Sequence, residues 1–422
     1  MIKIKIKAAI FLLFITGNLN AQNFSDCYNY YETKDYFRLK TNFEKTVLKE
    51  KWENDLLKGL VLSVFGRHFE ANLIFDDILA YHKKSVPDSL LAELYKHKAI
   101  NHAGLYEYKN ALTASIILRD KYSRFLDEEE KDDLPDEIAL WDALKNEQKQ
   151  KTEVINGSMV QMKKDIAGLW NIPVIIGDTT LDFVFDTGAN VSVLTESTAL
   201  KLGIKILGSG IKVGTATDIK VDSKAGVCAE MQIGKMKIRN VALLIIPDEA
   251  LTFGPFYKIT GIIGIPVIKA LNEITINKDN LLTVSNTAGS KKYSNLCFEG
   301  FTPVIQMIHN SDSLSFIFDS GAMKTMLFKP YFDAYKSDIE KNYELTEITL
   351  GGAGGNKKVK GYNLKGIVLV SGNLKAVLEK TSLLIENIKI RNSYFFGNLG
   401  QDFIMQSNEI IINYGGMFIE FR

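Results

Sequence analysis

Two short stretches of the chain run an apolar segment into an aspartate followed by a hydroxyl residue and a glycine. They are Leu181-Asp182-Phe183-Val184-Phe185-Asp186-Thr187-Gly188-Ala189 and Leu314-Ser315-Phe316-Ile317-Phe318-Asp319-Ser320-Gly321-Ala322. The two align without a gap and differ in character only at Asp182 against Ser315. A further hydroxyl stands six residues past each aspartate, at Ser192 and Thr325. A lone Asp-Thr-Gly is an ordinary surface-turn signal. A turn needs neither an apolar strand to deliver it nor a matched copy elsewhere, so the duplication asks for a chemical reason. Two carboxyls that face each other resist ionising together, and one keeps its proton while the other is charged. Such a pair can take a proton from a water and give one to a carbonyl oxygen in the same step. Asp186 and Asp319 are the candidate pair. Because coupled carboxyls titrate as a unit, the two roles are left unassigned at this stage. Thr187 and Ser320 are placed to tie the two turns together through hydroxyl-to-backbone bonds.

The elements that must position these groups are strands and tight turns. Leu181, Phe183 and Phe185 alternate with period two, which predicts a half-buried strand running straight into the turn that Gly188 permits. From about residue 153 onward the chain is rich in Val, Ile, Phe and Thr with Gly and Asn between, the pattern of a β-rich region. Two more blocks recur within it. Lys237-Ile238-Arg239-Asn240 returns as Lys389-Ile390-Arg391-Asn392, and Gly264 with Asn272-Glu273-Ile274-Thr275-Ile276-Asn277 returns as Gly400 with Asn408-Glu409-Ile410-Ile411-Ile412-Asn413. The offsets of the three blocks are 133, 152 and 136 residues, so the expectation is two copies of one fold, 153–288 and 289–422, that differ in loop length.

At 422 residues the chain has room for more than one core. An apolar fraction of 46% and a charged fraction of 24% describe an ordinary globular protein, and a net charge of +1 offers no basic field for nucleic acid. Lys3, Lys5 and Lys7 ahead of the apolar run Ala8 to Thr16, with a small residue at Ala21, read as a signal peptide over 1–21. The run is too short to span a bilayer, so export to the periplasm or outside is expected, with no membrane span after removal. Residues 22–152 carry apolar positions at three- and four-residue spacing and read as amphipathic helices. Gly66-Arg67-His68-Phe69-Glu70-Ala71 and Gly104-Leu105-Tyr106-Glu107-Tyr108 begin similar stretches about 39 residues apart, which suggests either degenerate tetratricopeptide-like hairpins or a plain bundle. The acidic run Asp127 to Asp133 reads as a solvated loop. Cys27, Cys228 and Cys297 are too few for a disulfide framework, though a Cys228 to Cys297 bridge is conceivable. The five histidines show no ligand spacing, so neither metal nor cofactor is expected.

The apolar-Asp-Thr/Ser-Gly motifs resemble those of retropepsin-type and pepsin-type aspartic proteases. Ile262-Ile263-Gly264 and Asn398-Leu399-Gly400 resemble the family's apolar pair before glycine that packs beneath each catalytic turn, with a polar Asn398 where the family has an apolar residue. The resemblance covers roughly 159–422. It implies an all-β, bilobal domain with pseudo-two-fold symmetry, following the helical-repeat-like all-α domain that the apolar spacing predicts. It also implies catalytic Asp186 and Asp319, turn support from Thr187, Gly188, Ser320 and Gly321, and packing by Ile263, Gly264, Leu399 and Gly400. Glycine-containing flaps are implied around Gly214 and Thr215 and around Gly352, closing over a peptide or protein substrate that adds as a strand. Each motif continues into Ala189 or Ala322, so no hydroxyl follows to hold an ionised carboxylate, and the pair should titrate high. The reading is an exported endopeptidase whose helical domain docks a protein partner or restricts access to the cleft. Its rival is a binding module in which the helices recognise a peptide and the β region is a platform.

Overall fold

A computed structural model describes residues 24–215, 219–285, 294–352, 355–387 and 393–422. The expected leader and the Lys389 to Asn392 block lie outside the described residues. A helical region from Phe24–Glu32 to Glu128–Leu144 precedes a β-rich region.

Two helical hairpins form the middle of the first part, Lys51–Val64 with His68–Asp77 and Asp88–Gly104 with Tyr108–Ile117. Each second helix continues into one π-helical turn, Ile78–His82 and Leu118–Tyr122, and each is entered through a left-handed residue, Gly66 and Tyr106. The period is therefore 40 residues, and Gly66 corresponds to Tyr106 rather than to Gly104. The two glycines do different things. Gly66 supplies a positive φ of 74°, whereas Gly104 is small because a Cβ there would lie 2.8 Å from the His68 ring. The acidic run is not a loop. Asp127 caps the helix Glu128–Leu144 in a reciprocal box with Glu130, and the carboxylates that follow complement the positive end of the helix dipole.

Among the described residues, a nine-stranded sheet draws on Lys151 to Ile263 and a ten-stranded sheet on Leu296 to Leu399. Each begins its working part with an antiparallel pair, Trp170–Ile176 with Thr179–Phe185 and Thr302–His309 with Asp312–Phe318. Leu314, Phe316 and Phe318 alternate inward as period two demands, and Phe183 and Phe185 do the same, so both aspartates leave strands anchored by buried aromatic rings. The strand Ser192–Thr195 then pairs in parallel with Met236–Ile246, and Met326–Leu327 pairs in parallel with Thr381–Leu384. By that pairing the place of Lys237 to Asn240 corresponds to Lys375 to Leu378, while the Lys389 block lies outside the described residues. The hairpin turns agree, since Gly234 and Gly372 each open a two-residue turn with φ of 58° and 56°. A third, five-stranded sheet joins the two β segments. Glu273–Asn277 lies antiparallel to its own repeat Glu409–Asn413, with Ile274 opposite Ile412 and Ile276 opposite Ile410.

The helical region grips the β region behind the first aspartate turn. Tyr106 Oη and Gln150 Nε2 donate to the Pro266 carbonyl at 2.9 and 3.1 Å, on the short helix Ile265–Lys269. Lys269 Nζ lies 2.9 Å from His68 Nε2. Burial pushes His68 down to about 3 and Lys269 down to about 8, so a neutral imidazole accepts from the ammonium. Lys220 on the long hairpin of the first sheet meets Asp132, Asp133 and Asp136 of the helix Glu128–Leu144 at 2.7, 3.1 and 3.2 Å. Cys27, Cys228 and Cys297 are buried, separate thiols with no bridge between them. Among the described residues no helix is long and apolar enough to cross a membrane.

Candidate active site

Asp186 and Asp319 are brought together where the strands Thr179–Phe185 and Asp312–Phe318 end. Each strand is flanked in parallel by a short one, Gly261–Ile263 or Gly397–Leu399, whose last carbonyl receives the aspartate's N–H. Asp186 donates to Ile263 at 3.0 Å and Asp319 to Leu399 at 3.1 Å. Gly264 and Gly400 follow at once, and their N–H groups donate to Ser192 Oγ at 3.0 Å and Thr325 Oγ1 at 3.1 Å. The hydroxyls six residues past each aspartate are thus pegs that fix the strand beneath the turn. Neither glycine has room for a side chain. A Cβ on Gly264 would lie 2.6 Å from the Ala189 carbonyl, and one on Gly400 would lie 2.7 Å from the Lys324 carbonyl carbon.

The turns hold each other by a reciprocal set of bonds. Thr187 N–H donates to Ser320 Oγ at 3.0 Å and Ser320 N–H donates to Thr187 Oγ1 at 2.9 Å. Each hydroxyl in turn donates across to a carbonyl, Thr187 to Phe318 at 2.8 Å and Ser320 to Phe185 at 2.7 Å. Both residues are fully enclosed, with exposures of 0% and 1%, so these four bonds are shielded from competing water.

The carboxyls close the arrangement. Asp186 Oδ1 accepts from Gly188 N–H at 2.7 Å and Asp319 Oδ1 from Gly321 N–H at 2.9 Å. The two carboxyls lie close enough for the charge on one to act on the other. Each glycine lies against the opposite carboxyl. A Cβ on Gly188 would stand 2.7 Å from Asp319 Cγ, and one on Gly321 would stand 2.3 Å from Asp186 Cγ. Burial raises the pKa of Asp186 well above the usual carboxylate range, and the adjoining Asp319 charge adds to the rise, against the pull of the Gly188 and Ala189 N–H groups. Burial raises Asp319 too, opposed first by a side-chain bond from Asn398 and then by the Gly321 N–H. A pair in this state holds one proton above the pH at which free carboxyls have lost theirs.

Asn398 is the residue that sequence reasoning undervalued. It was marked only as a polar departure in a packing position, yet its Nδ2 donates to Asp319 Oδ2 at 2.7 Å. Gln401 was missed outright, and its Nε2 holds the Ser320 carbonyl at 2.9 Å. The departure of residue 398 from its apolar counterpart Ile262 was the available signal.

The glycine-containing segments are hairpins, as expected. Lys205–Gly214 pairs with Lys220–Ile233, and Thr346–Gly352 pairs with Gly355–Leu364. Thr215 N–H donates to the Ile219 carbonyl at 3.1 Å at the first tip, beside Gly214. The two hairpins approach each other at Ile219 and Gly355, where Ile219 Cδ1 would lie 3.8 Å from a Cβ on Gly355. Gly352 lines a cavity of about 550 Å³ with Glu249, Thr252, Phe253 and Asn356, and neither aspartate is part of that lining. Among the described residues no group of three or more His, Cys, Asp or Glu is placed to hold a metal ion.

Residues 172–267 match a family model described as aspartyl protease. No curated protein matches the sequence. Among solved structures, the chain is similar to a retropepsin-like aspartic protease from Rickettsia conorii, at 21% identity and a TM-score of 0.22, over 32% of this chain and 94% of that one. It is also similar to Basic 7S globulin from soybean, at 9% identity and a TM-score of 0.39, over 61% of this chain and 92% of that one. The matched stretch includes Asp186, Thr187, Gly188, Ile263 and Gly264, around the first aspartate turn.

Proposed function

We propose that the chain is an exported aspartic endopeptidase in which Asp186 and Asp319 share a proton and activate a water against a peptide bond. Residues 153–288 and 289–422 form two related lobes about a pseudo-two-fold axis, and the hairpins Lys205–Gly214/Lys220–Ile233 and Thr346–Gly352/Gly355–Leu364 border an extended substrate. The observation that carries the reading is the crossed placement of Gly188 against Asp319 and Gly321 against Asp186, which leaves the two carboxyls facing each other. The aspartyl-protease match over 172–267 supports the same activity.

In the reaction the ionised carboxyl takes a proton from the water as its oxygen adds to the carbonyl carbon, and the protonated carboxyl gives its proton to the carbonyl oxygen. On collapse the first returns its proton to the leaving amine. The second recovers its own from a hydroxyl of the intermediate, so the pair ends as it began. Residues 22–152 serve as a brace and as a surface for a protein partner. Phe69 and Leu73, exposed one turn apart on the helix His68–Asp77, support that role. The test incubates the chain and an Asp186→Asn variant with a diverse peptide pool from about pH 3 to 8. Cleavage by the parent alone is expected. Equal cleavage by both, or by neither, removes the proposal.

A further inference from the structure

The residue before Leu399 is an amide, whereas its counterpart before Ile263 is Ile262. The two stand at equal stations, Ile262 opposite Val184 and Asn398 opposite Ile317, each on the short strand parallel to one that delivers an aspartate. Asn398 Nδ2 donates to Asp319 Oδ2 at 2.7 Å, and Asn398 Oδ1 is buried without a hydrogen-bond partner. A buried, half-satisfied amide is a poor filler beside the isoleucine of the other side, and the bond to Asp319 is what offsets it.

That bond is one-sided. Both aspartates have the N–H groups of their own turns, Gly188 and Ala189 or Gly321 and Ala322, and among the described residues only Asp319 has a side-chain amide as well. A neutral donor stabilises the ionised form of a carboxyl over the protonated form. The charged side chains on the elements around Asn398 are already engaged. Lys324 and Asp402 lie 3.9 Å apart, Asp402 Oδ1 accepts from the Thr325 N–H and hydroxyl at 2.7 and 2.8 Å, and Asp312, at the far end of its strand, accepts from Tyr335 at 2.9 Å.

We propose that Asn398 is a positioning residue that breaks the equivalence of the pair, holding Asp319 as the ionised member and leaving the shared proton on Asp186. Resting on the peptidase reading above, this makes Asp319 the base that takes the water proton and Asp186 the acid that donates to the carbonyl oxygen. The pKa of Asp186, raised by burial and by its neighbour, and the downward pull of Asn398 on Asp319 run in the same direction.

The test compares the parent with Asn398→Ile, which copies the other side, and with the smaller Asn398→Ser. Two quantities are followed: kcat/KM against pH, and the ¹³C titration of the Asp319 carboxyl in an Asp186→Asn background, which needs no turnover. Removing the amide is expected to raise the Asp319 titration, and to move the acid limb of the rate profile upward, by about one pH unit, with KM little changed. An Asp319 titration that stays put or moves down in both variants overturns the assignment. If that titration rises as expected while the parent cleaves no peptide at any pH, the charge assignment stands and the peptidase reading falls.

Discussion

Replacing Gly321 by alanine tests the packing of the pair directly. Neither Gly321 nor Gly188 has a positive φ, so what each position requires is space rather than backbone freedom. An alanine Cβ at 321 would sit 2.3 Å from Asp186 Cγ and 2.4 and 2.5 Å from its oxygens. Carbon atoms in contact prefer about 3.5 Å, so something must retreat by roughly 1 Å. The Asp186 carboxyl is held by the Gly188 N–H, and the 319–321 turn is held by the Thr187 and Ser320 bonds, so neither side yields freely. Overpacking of this kind costs about 1–3 kcal/mol of stability, and a 1 Å misplacement of a reacting group costs about 10²-fold in rate. At Gly188 the corresponding approach to Asp319 Cγ is 2.7 Å, so the displacement is smaller and the loss should be less. The assay is kcat/KM on a peptide cleaved by the parent, beside denaturant melts of both variants. If Gly321→Ala retains a rate within a factor of about 3 of the parent, the carboxyls are not packed as described and the argument from their contact fails.

Three further outcomes follow from the same geometry. Thr187→Val leaves the Ser320 N–H and the Phe318 carbonyl buried without partners, each worth about 1–3 kcal/mol, so it should lower the urea midpoint markedly while Thr187→Ser should not. The folded-state pKa of Asp186 lies above its unfolded value, so its contribution to stability is complete below about pH 4 and is lost as pH rises through the folded value. Asp186→Asn should therefore be more stable than the parent at neutral pH, with the gap closing in acid; calorimetry at several pH values that finds a constant gap would contradict this. Asp136→Ala removes the acceptor of the Lys212 N–H at 2.8 Å and one partner of Lys220, a partly exposed contact worth at most about 1 kcal/mol. Melting should hardly change, while hydrogen exchange of the Lys212 amide should quicken.

The aspartate-bearing strands, their turns and the matched hydroxyls at Ser192 and Thr325 were legible in the sequence because they are local. Period-two apolar residues ending in Asp-Thr-Gly specify strand and turn without reference to anything distant. The crossed Thr187 and Ser320 bonds were foreseeable once two copies were recognised, since a hydroxyl beside each glycine has little other use. What escaped depends on partners far along the chain. The His68 to Lys269 contact spans 201 residues and the Asn398 to Asp319 bond spans 79, and no local pattern marks either. The acidic run from Asp127 was misread because charge density suggests solvation, whereas the cap at Asp127 with Glu130 three residues on was the better signal.

Glu273–Asn277 and Glu409–Asn413 are neighbours in one sheet and belong to one polypeptide. An assembly of two identical subunits must repeat every substitution on both sides of its axis, so it could not place an amide beside one carboxyl without placing it beside the other. Fusing the copies lifts that restriction, and a chain built this way is free to give each carboxyl its own neighbours.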